Sequence, residues 1–331
     1  MVRPSSLFAS SSTMIHYDVF NGDADGLCAL HQLRLEYPLD SVLVTGAKRD
    51  VALLGRVPAQ SGDSVTVLDI SVASNRAALT ALLERGIAVQ YFDHHFAGEL
   101  PAHAGLRAVI DTSPQVCTGI LVDRYLQGRR RIWAVVAAFG DNLEPAARAL
   151  ASPLRLDIGA IAALRHLGEN LAYNAYGDSE ADLIVHPADL YRTVSRYADP
   201  FRLLEKERVL ERIAAIRRDD LAMACEVDPS VALDSATVYV LPDTAWSRRV
   251  RGAFGDHLAN CFPDIAHAIL TPNMEGGYTV SVRAPQVKPT GADALCREFQ
   301  TGGGRAAAAG INHLPQERLA DFTRRMGHAF S

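Results

Sequence analysis

A chain of 331 residues is longer than one simple core accommodates, which predicts two domains. Hydrophobic residues at 48% and charged residues at 21% fit a globular protein and exclude a disordered or fibrous one. A formal net charge of -5 argues against an extensive basic surface of the kind that holds long duplex nucleic acid by counterion release, but leaves room for a short strand in one local positive cleft.

The five cysteines, Cys28, Cys117, Cys225, Cys261 and Cys296, are scattered, odd in number and without a CxxC. That pattern argues against a zinc knuckle or a disulfide framework and for reduced thiols in a cytoplasmic protein. Residues 1–13 are too weakly patterned for a signal peptide, and no charge-free apolar stretch is long enough to span a bilayer.

In chain order, residues 15–20 read as a strand and 26–37 as a helix with Leu27, Leu30, Leu33 and Leu35 at apolar positions. A second strand follows at 42–44, a short helix at 50–54, and a third strand at 65–68 that closes on Asp69. The next helix, 74–84, has Ser71 or Ser74 placed to cap it. An apolar run at 87–92 leads as a strand into Asp93-His94-His95, and 108–110 is a further strand. Strands separated by helices predict an α/β fold, a mostly parallel sheet with flanking helices.

From 115 to about 190 the pattern turns helical, at 116–126, 132–139, 158–170 and from Pro187; the alanine-rich run 133–139 suits a buried helix. Residues 201–223 read as one charged helix bridging two domains. Strand-like segments at 236–240, 266–270 and 278–282, with helix-like segments at 251–259 and 292–299, predict a second, smaller α/β domain. Its unusual feature is Gly302-Gly303-Gly304-Arg305 ahead of an alanine run.

Acidic and imidazole residues thus sit at the ends of three expected strands, and in an open α/β sheet those ends converge on one crevice. Asp23 and Asp25 fall in the turn Asn21-Gly22-Asp23-Ala24-Asp25-Gly26, whose glycines allow unusual dihedrals that aim both carboxylates at one point. An acidic turn alone is common; it is the pair His94-His95 directly after an aromatic strand that favours a metal, since neutral imidazole suits manganese, cobalt or zinc. Asp141 ends an apolar helix and adds a further carboxylate. The set Asp23, Asp25, Asp69, His94, His95 and Asp141 could hold two metals a few ångströms apart, with a water between them as nucleophile for in-line attack on phosphorus. A single structural metal is the blander reading of the same residues.

These motifs resemble those of the DHH phosphoesterase superfamily, and Gly302 to Gly310 resembles the glycine-rich signature of its DHHA1 domain. The resemblance runs in order from Ile15 to Asn312. It implies a catalytic domain over 14–190, a helical linker over 191–228 and a DHHA1-like substrate domain over 229–331. It also implies a hydrolase, a 3'/5' exonuclease or nanoRNase among the options, with two Mn2+ ions for which Mg2+ or Co2+ would substitute. Carried over by position, Asp23 serves one metal and Asp25 the other, Asp69 bridges them, and His94 and Asp141 complete the second site. Asp69, Asp93, His94 and His95 form the catalytic group, with Asp93 orienting the histidines and His95 near the substrate phosphate or the neighbouring metal. Gly302, Gly303 and Gly304 bring backbone amides to a phosphate, and Arg305 pairs with it.

Three positions depart from the family pattern: Val19 where a ligand histidine is common, Asn21 where the exonuclease branch has aspartate, and Arg305 where the glycine signature ends in histidine. The implied partner is a short single-stranded oligonucleotide or a nucleotide phosphoester, with no membrane involved and a homodimer as one open arrangement. The rival readings are an exopolyphosphatase or pyrophosphatase acting on phosphoanhydrides, and a catalytically weak nucleotide sensor motivated by Val19 and Asn21. His16, His31, His103 and the run Arg129-Arg130-Arg131 read as structural or exposed. Arg248, Arg249, Arg251 and His313 are secondary candidates for substrate contact.

Overall fold

The computed structural model describes residues 14–331; residues 1–13, on which the signal-peptide expectation falls, lie outside it. The chain divides into two compact units: residues up to Thr45, Asp50–Arg165 and Val194–Pro200 form the first, and Gly46–Arg49, His166–Thr193 and Phe201–Ser331 the second.

The first unit begins β1 (His16–Phe20), α1 (Ala24–Glu36), β2 (Val42–Val44), β3 (Ser64–Leu68), α2 (Val72–Glu84), β4 (Ala88–Asp93) and β5 (Leu106–Ile110). It continues with the helices α3 (Thr118–Tyr125), α4 (Arg131–Gly140), α5 (Glu144–Ala151) and the start of α6 (Ile158–Asn174). Its five strands are all parallel, in the order β2-β1-β3-β4-β5. Central β1 and β3 are buried along nearly their whole length, whereas edge strand β5 alternates between half-buried and exposed positions. Continuous burial in the middle and alternation at the edge are what a sheet covered on both faces demands; β1 meets it with a polar residue, Asp18, held by Arg34 and Ser41. Val19, Val67, Val89 and Tyr91 pack in one core with Leu79, Leu82 and Leu83 of α2.

Two local expectations need correction. Ser71 precedes α2 but makes no side-chain cap; its hydroxyl instead donates to Phe96 O at 3.1 Å. α5 is an additional helix, although Pro145 in its first turn is an ordinary helix-start signal.

His31 is buried in α1, donates from Nε2 to Tyr197 O at 2.8 Å, and meets Trp133 edge-on with centroids 4.4 Å apart. Burial is the main cause that pulls its pKa from 6.5 to about 4; the Tyr197 carbonyl opposes this and the Arg130 charge reinforces it. The folded state thus refuses a proton that the unfolded chain accepts. Stability associated with His31 is full above pH 6.5 and is lost as pH falls toward about 4. The loss is on the order of 3 kcal/mol. Urea unfolding across that window checks it: His31→Gln should lower stability at pH 7 and flatten the decline between pH 6.5 and 4.

The second unit takes the remainder of α6, then α7 (Pro187–Val194, apart from Val194 itself), α8 (Pro200–Lys206, apart from Pro200) and α9 (Arg208–Cys225). Its sheet and covering helices are β6 (Val231–Ala232), β7 (Ala236–Val240), α10 (Ala245–Cys261), β8 (Ala266–Pro272), β9 (Gly277–Arg283), α11 (Ala292–Arg297), β10 (Gly302–Gly304), β11 (Ala308–Pro315) and α12 (Leu319–Phe330). The sheet is mixed, ordered β10-β11-β9-β8-β7-β6, with only β7 and β8 parallel. Inward residues of β7, β8, β9 and β11 pack on Leu295, Phe299, Phe322 and Met326. The single charged helix expected over 201–223 is broken at Glu207, whose extended backbone separates α8 from α9. Among the described residues, no helix is long and apolar enough to cross a membrane.

Candidate metal centre

Three loops leave the carboxyl edge of the parallel sheet side by side because strand pairing runs one residue past the strands. Asn21 N–H donates to Leu68 O (3.2 Å), Asp69 N–H to Phe92 O (3.0 Å) and Asp111 N–H to Asp93 O (3.3 Å). Between β1 and β3 the chain order reverses direction across the sheet, and such a switch point opens a crevice at the strand ends. The polar residues that follow β1, β3 and β4 are therefore delivered to one place.

After β1 the chain does not form the glycine-opened turn expected over 21–26. Asn21 Oδ1 accepts from Asp23 N–H at 3.2 Å, and Asp23 caps α1 by accepting from Asp25 N–H (3.0 Å) and Gly26 N–H (3.2 Å). Asp25 lies in the first helical turn. Gly26 is needed for approach and not for a left-handed dihedral: a Cβ there would stand 2.3 Å from Asn21 O. The Asp25 carboxylate accepts from Thr118 N–H and Gly119 N–H, each at 2.7 Å, so it is seated on the positive end of α3. A carboxylate offers about four lone-pair sites, so Asp25 keeps acceptor capacity beyond these two bonds.

Asp69 adopts a left-handed backbone with φ of 60°, a conformation uncommon outside glycine but tolerated by Asp and Asn. It also accepts from Thr118 Oγ1 at 3.1 Å. His94 Nε2 lies 3.4 Å from Asp69 Oδ1, 3.9 Å from Asp25 Oδ2 and 4.0 Å from Asp141 Oδ2, the last carboxylate standing at the end of α4. His95 joins Asp69 and His94 in a group whose donor atoms all lie within 4.8 Å of one another.

The donor set fits a divalent cation. Nitrogen and oxygen ligands about 2.1 Å from one ion stand roughly 3 to 3.5 Å apart, and the 3.4 Å between His94 Nε2 and Asp69 Oδ1 already falls in that range. Asp23, Asp25 and Asp69 are at most 2% exposed. Gathering buried like charges is costly, and a cation between them relieves that cost. Asp69, His94 and His95 are the residues whose donor atoms are mutually close enough to share such an ion.

Asp93 is fully buried, and the 2.7 Å bond between its Oδ1 and His95 Nδ1 fixes that ring. Its Oδ2 is buried without a hydrogen-bond partner, so the carboxylate depends heavily on His95. Burial lowers the His95 pKa, but the Asp93 hydrogen bond, the Asp93 charge and the fields of Asp25 and Asp23 together outweigh it, and the net shift is upward. Asp93→Asn is expected to lower kcat/KM about 10- to 100-fold while the Mn2+ stoichiometry stays unchanged, because it acts on ring orientation. Steady-state kinetics paired with elemental analysis of the variant checks both halves.

Thr118 and Gly119 belong to the site as well, and sequence reasoning does not find them. Their signal is slight: a small hydroxyl residue and a glycine opening an apolar helix. Their importance comes from contacts with Asp25 and Asp69, which are distant in sequence. The other histidines take structural partners: His16 bonds to Ser64, Thr66 and Asp18, and His103 Nδ1 accepts from Gly105 N–H. Arg129 and Arg130 pair with Glu36, and Arg131 with Asp123.

In the second unit Gly302, Gly303 and Gly304 are not a loop but edge strand β10, paired antiparallel with β11. A Cβ at Gly302 would stand 1.8 Å from Cys296 O, and one at Gly304 2.5 Å from Ala309 Cα, whereas at Gly303 there is open space. Packing thus explains two of the three glycines. Arg305 is exposed, with backbone bonds to Ala308. The arginines considered for substrate contact are engaged within this unit: Arg248 with Asp182 and Asp243, Arg249 with Asp220, and Arg251 with Asp178. His313 lies against Asn273.

No family model matches the sequence, and no curated protein matches it. Solved structures do match in fold. An exonuclease RecJ bound to manganese superposes with a TM-score of 0.62 at 18% identity, covering 95% of this chain and 89% of that one. RecJ from Thermus thermophilus, in complex with Mn2+, gives 0.59 at 18% identity and covers 95% of this chain, which spans 52% of that protein's length. PggH of Vibrio cholerae, a pGpG-specific phosphodiesterase, gives 0.57 at 13% identity, covering 96% and 98% of the two chains. The chain therefore has the two-domain DHH–DHHA1 fold, with its Asp-His-His cluster on the carboxyl edge of the parallel sheet.

Proposed function

We propose that the chain is a divalent-metal-dependent phosphoesterase acting on short oligonucleotides or small nucleotide phosphoesters. The observation that supports this most is the convergence of Asp69, Asp25 and Asp141 on His94 Nε2, all within 4.0 Å. The fold shared with RecJ and PggH supports the same class of chemistry.

When bound, a divalent cation, Mn2+ in our reading, supplies Lewis acidity toward phosphoryl oxygens and acidifies water. Asp25, Asp69, His94 and Asp141 would hold one such ion, and Asp23 with Asp69 a second, weaker one. The weaker site follows from its neighbours: Val19 is apolar and lies in the core, and Asn21 is uncharged and already accepts from Asp23 N–H. α3 holds Asp25 through two amides and Asp69 through a hydroxyl, so the carboxylates are oriented before substrate arrives. With Nδ1 committed to Asp93, His95 presents Nε2 as the atom that meets substrate, and the Asp93 hydrogen bond favours a ring able to donate a proton to the leaving oxygen.

The experiment is a Mn2+-supplemented screen over short 5'-phosphorylated RNA, linear and cyclic dinucleotides, 3'-phosphoadenosine 5'-phosphate, pyrophosphate and polyphosphate. Release of mononucleotides or loss of a terminal phosphoester supports the proposal. Orthophosphate from polyphosphate or pyrophosphate alone would replace it with phosphoanhydride hydrolysis. Nucleotide binding without turnover of any member would replace it with a sensor.

A further inference from the structure

We infer that Phe96 is a stacking platform for a nucleobase at the rim of the Asp69–His94–His95 cluster, so that the substrate carries a base and is not an inorganic phosphoanhydride. This rests on the phosphoesterase reading and adds the substrate class to it.

The Phe96 side chain is 77% exposed although it directly follows His95, about 3.8 Å on along the backbone. An exposed aromatic ring on a loose surface loop would mean little. This segment is instead fastened at consecutive positions. His95 Nδ1 is bonded to Asp93, Phe96 O accepts from Ser71 Oγ at 3.1 Å, and Ala97 O accepts from Arg76 Nη2 at 3.1 Å. Ala97 is buried, and Gly98 turns the chain with φ of 63°. The backbone is thus fastened at Phe96 and at the residue after it, while the ring itself is left in water. The two residues that do this, Ser71 just before α2 and Arg76 within it, spend their side chains on the loop.

Stacking is the interaction such a ring offers, and every base has a face for it, so a platform of this kind is tolerant of base identity. Pyrophosphate and polyphosphate have no apolar face to use it.

The test compares wild type, Phe96→Ala and Phe96→Trp, with Mn2+, on a 5'-phosphorylated dinucleotide and on its abasic counterpart. Because Phe96 is exposed, neither change threatens folding. Phe96→Ala should lower kcat/KM on the dinucleotide roughly 5- to 150-fold, the range of one lost base stack, and Phe96→Trp should restore it. Turnover of the abasic compound should not change. Equal activity of all three proteins on the dinucleotide overturns the platform, and so does a parallel loss on both substrates. If wild type hydrolyses neither compound, the phosphoesterase reading falls separately. The platform is then decided by binding of a 2-aminopurine dinucleotide followed by its fluorescence: weaker binding to Phe96→Ala supports it, and equal binding overturns it.

Discussion

Replacing Asp69 with asparagine is expected to reduce Mn2+-dependent hydrolysis at least about 10^3-fold while leaving the fold intact. The magnitude follows because a metal's contribution to stabilising developing charge is several kcal/mol, and each ~1.36 kcal/mol is about tenfold in rate. Asn is the informative substitution for a backbone reason. Asp69 has φ of 60°, a region Asn enters at least as readily as Asp, so the variant removes the charge without forcing the turn to move. Thr118 Oγ1, which donates to Asp69 Oδ1 at 3.1 Å, retains an amide oxygen to meet. Unchanged unfolding with lost activity is the expected pair of results; retained activity would remove Asp69 from the site.

The second large effect is expected at a residue with no chemistry of its own. A Cβ at Gly119 would stand 2.4 Å from Ala137 Cβ on α4 and 3.2 Å from Asp25 Oδ1. Gly119→Ala therefore pushes α3 away from α4, and with it the Thr118 and Gly119 amides that seat Asp25. Overpacking of this kind costs about 1–3 kcal/mol of stability. Displacement of the carboxylate by about an ångström costs roughly 10^2-fold in rate. Urea unfolding and kcat at saturating Mn2+ measure the two effects independently. A variant destabilised but fully active would show that Asp25 does not depend on α3.

Much of the site is legible in the sequence because its residues are poor packing material set directly against strands. Asp93, His94 and His95 follow an apolar run, Asp69 ends another, and parallel strands bring such ends together without further instruction. What stays hidden depends on contacts remote in sequence. Asp25 takes its amides from Thr118 and Gly119, a whole sheet's length of chain away. No local pattern announces that Thr118 will reach Asp69. The helical start at Asp23 is ambiguous because a short acidic, glycine-containing stretch suits a turn and an N-cap equally; only the two amides donated to its side chain decide for the cap.

The glycine run misleads for the opposite reason. Glycine disfavours strands by propensity, but the approach of Cys296 O to Gly302 and of Ala309 to Gly304 leaves no room for a side chain at either end of β10. Ser71 illustrates a third cause. A serine before a helix reads as a cap, yet a nearby carbonyl on the loop that carries Phe96 is the partner it takes. The parallel sheet of the first unit, then, follows from strand–helix alternation, whereas strand order and the partners of individual hydroxyls and glycines require the packed structure.

The most direct test of the central claim is metal dependence of phosphoester hydrolysis by the intact chain. After treatment with chelator and its removal, the protein should be inactive on a 5'-phosphorylated dinucleotide. Added Mn2+ should restore turnover in wild type, with restoration tracking ions bound per chain, and should not restore it in Asp69→Asn. Hydrolysis that survives metal removal, or that Mn2+ restores equally in Asp69→Asn, would contradict the account.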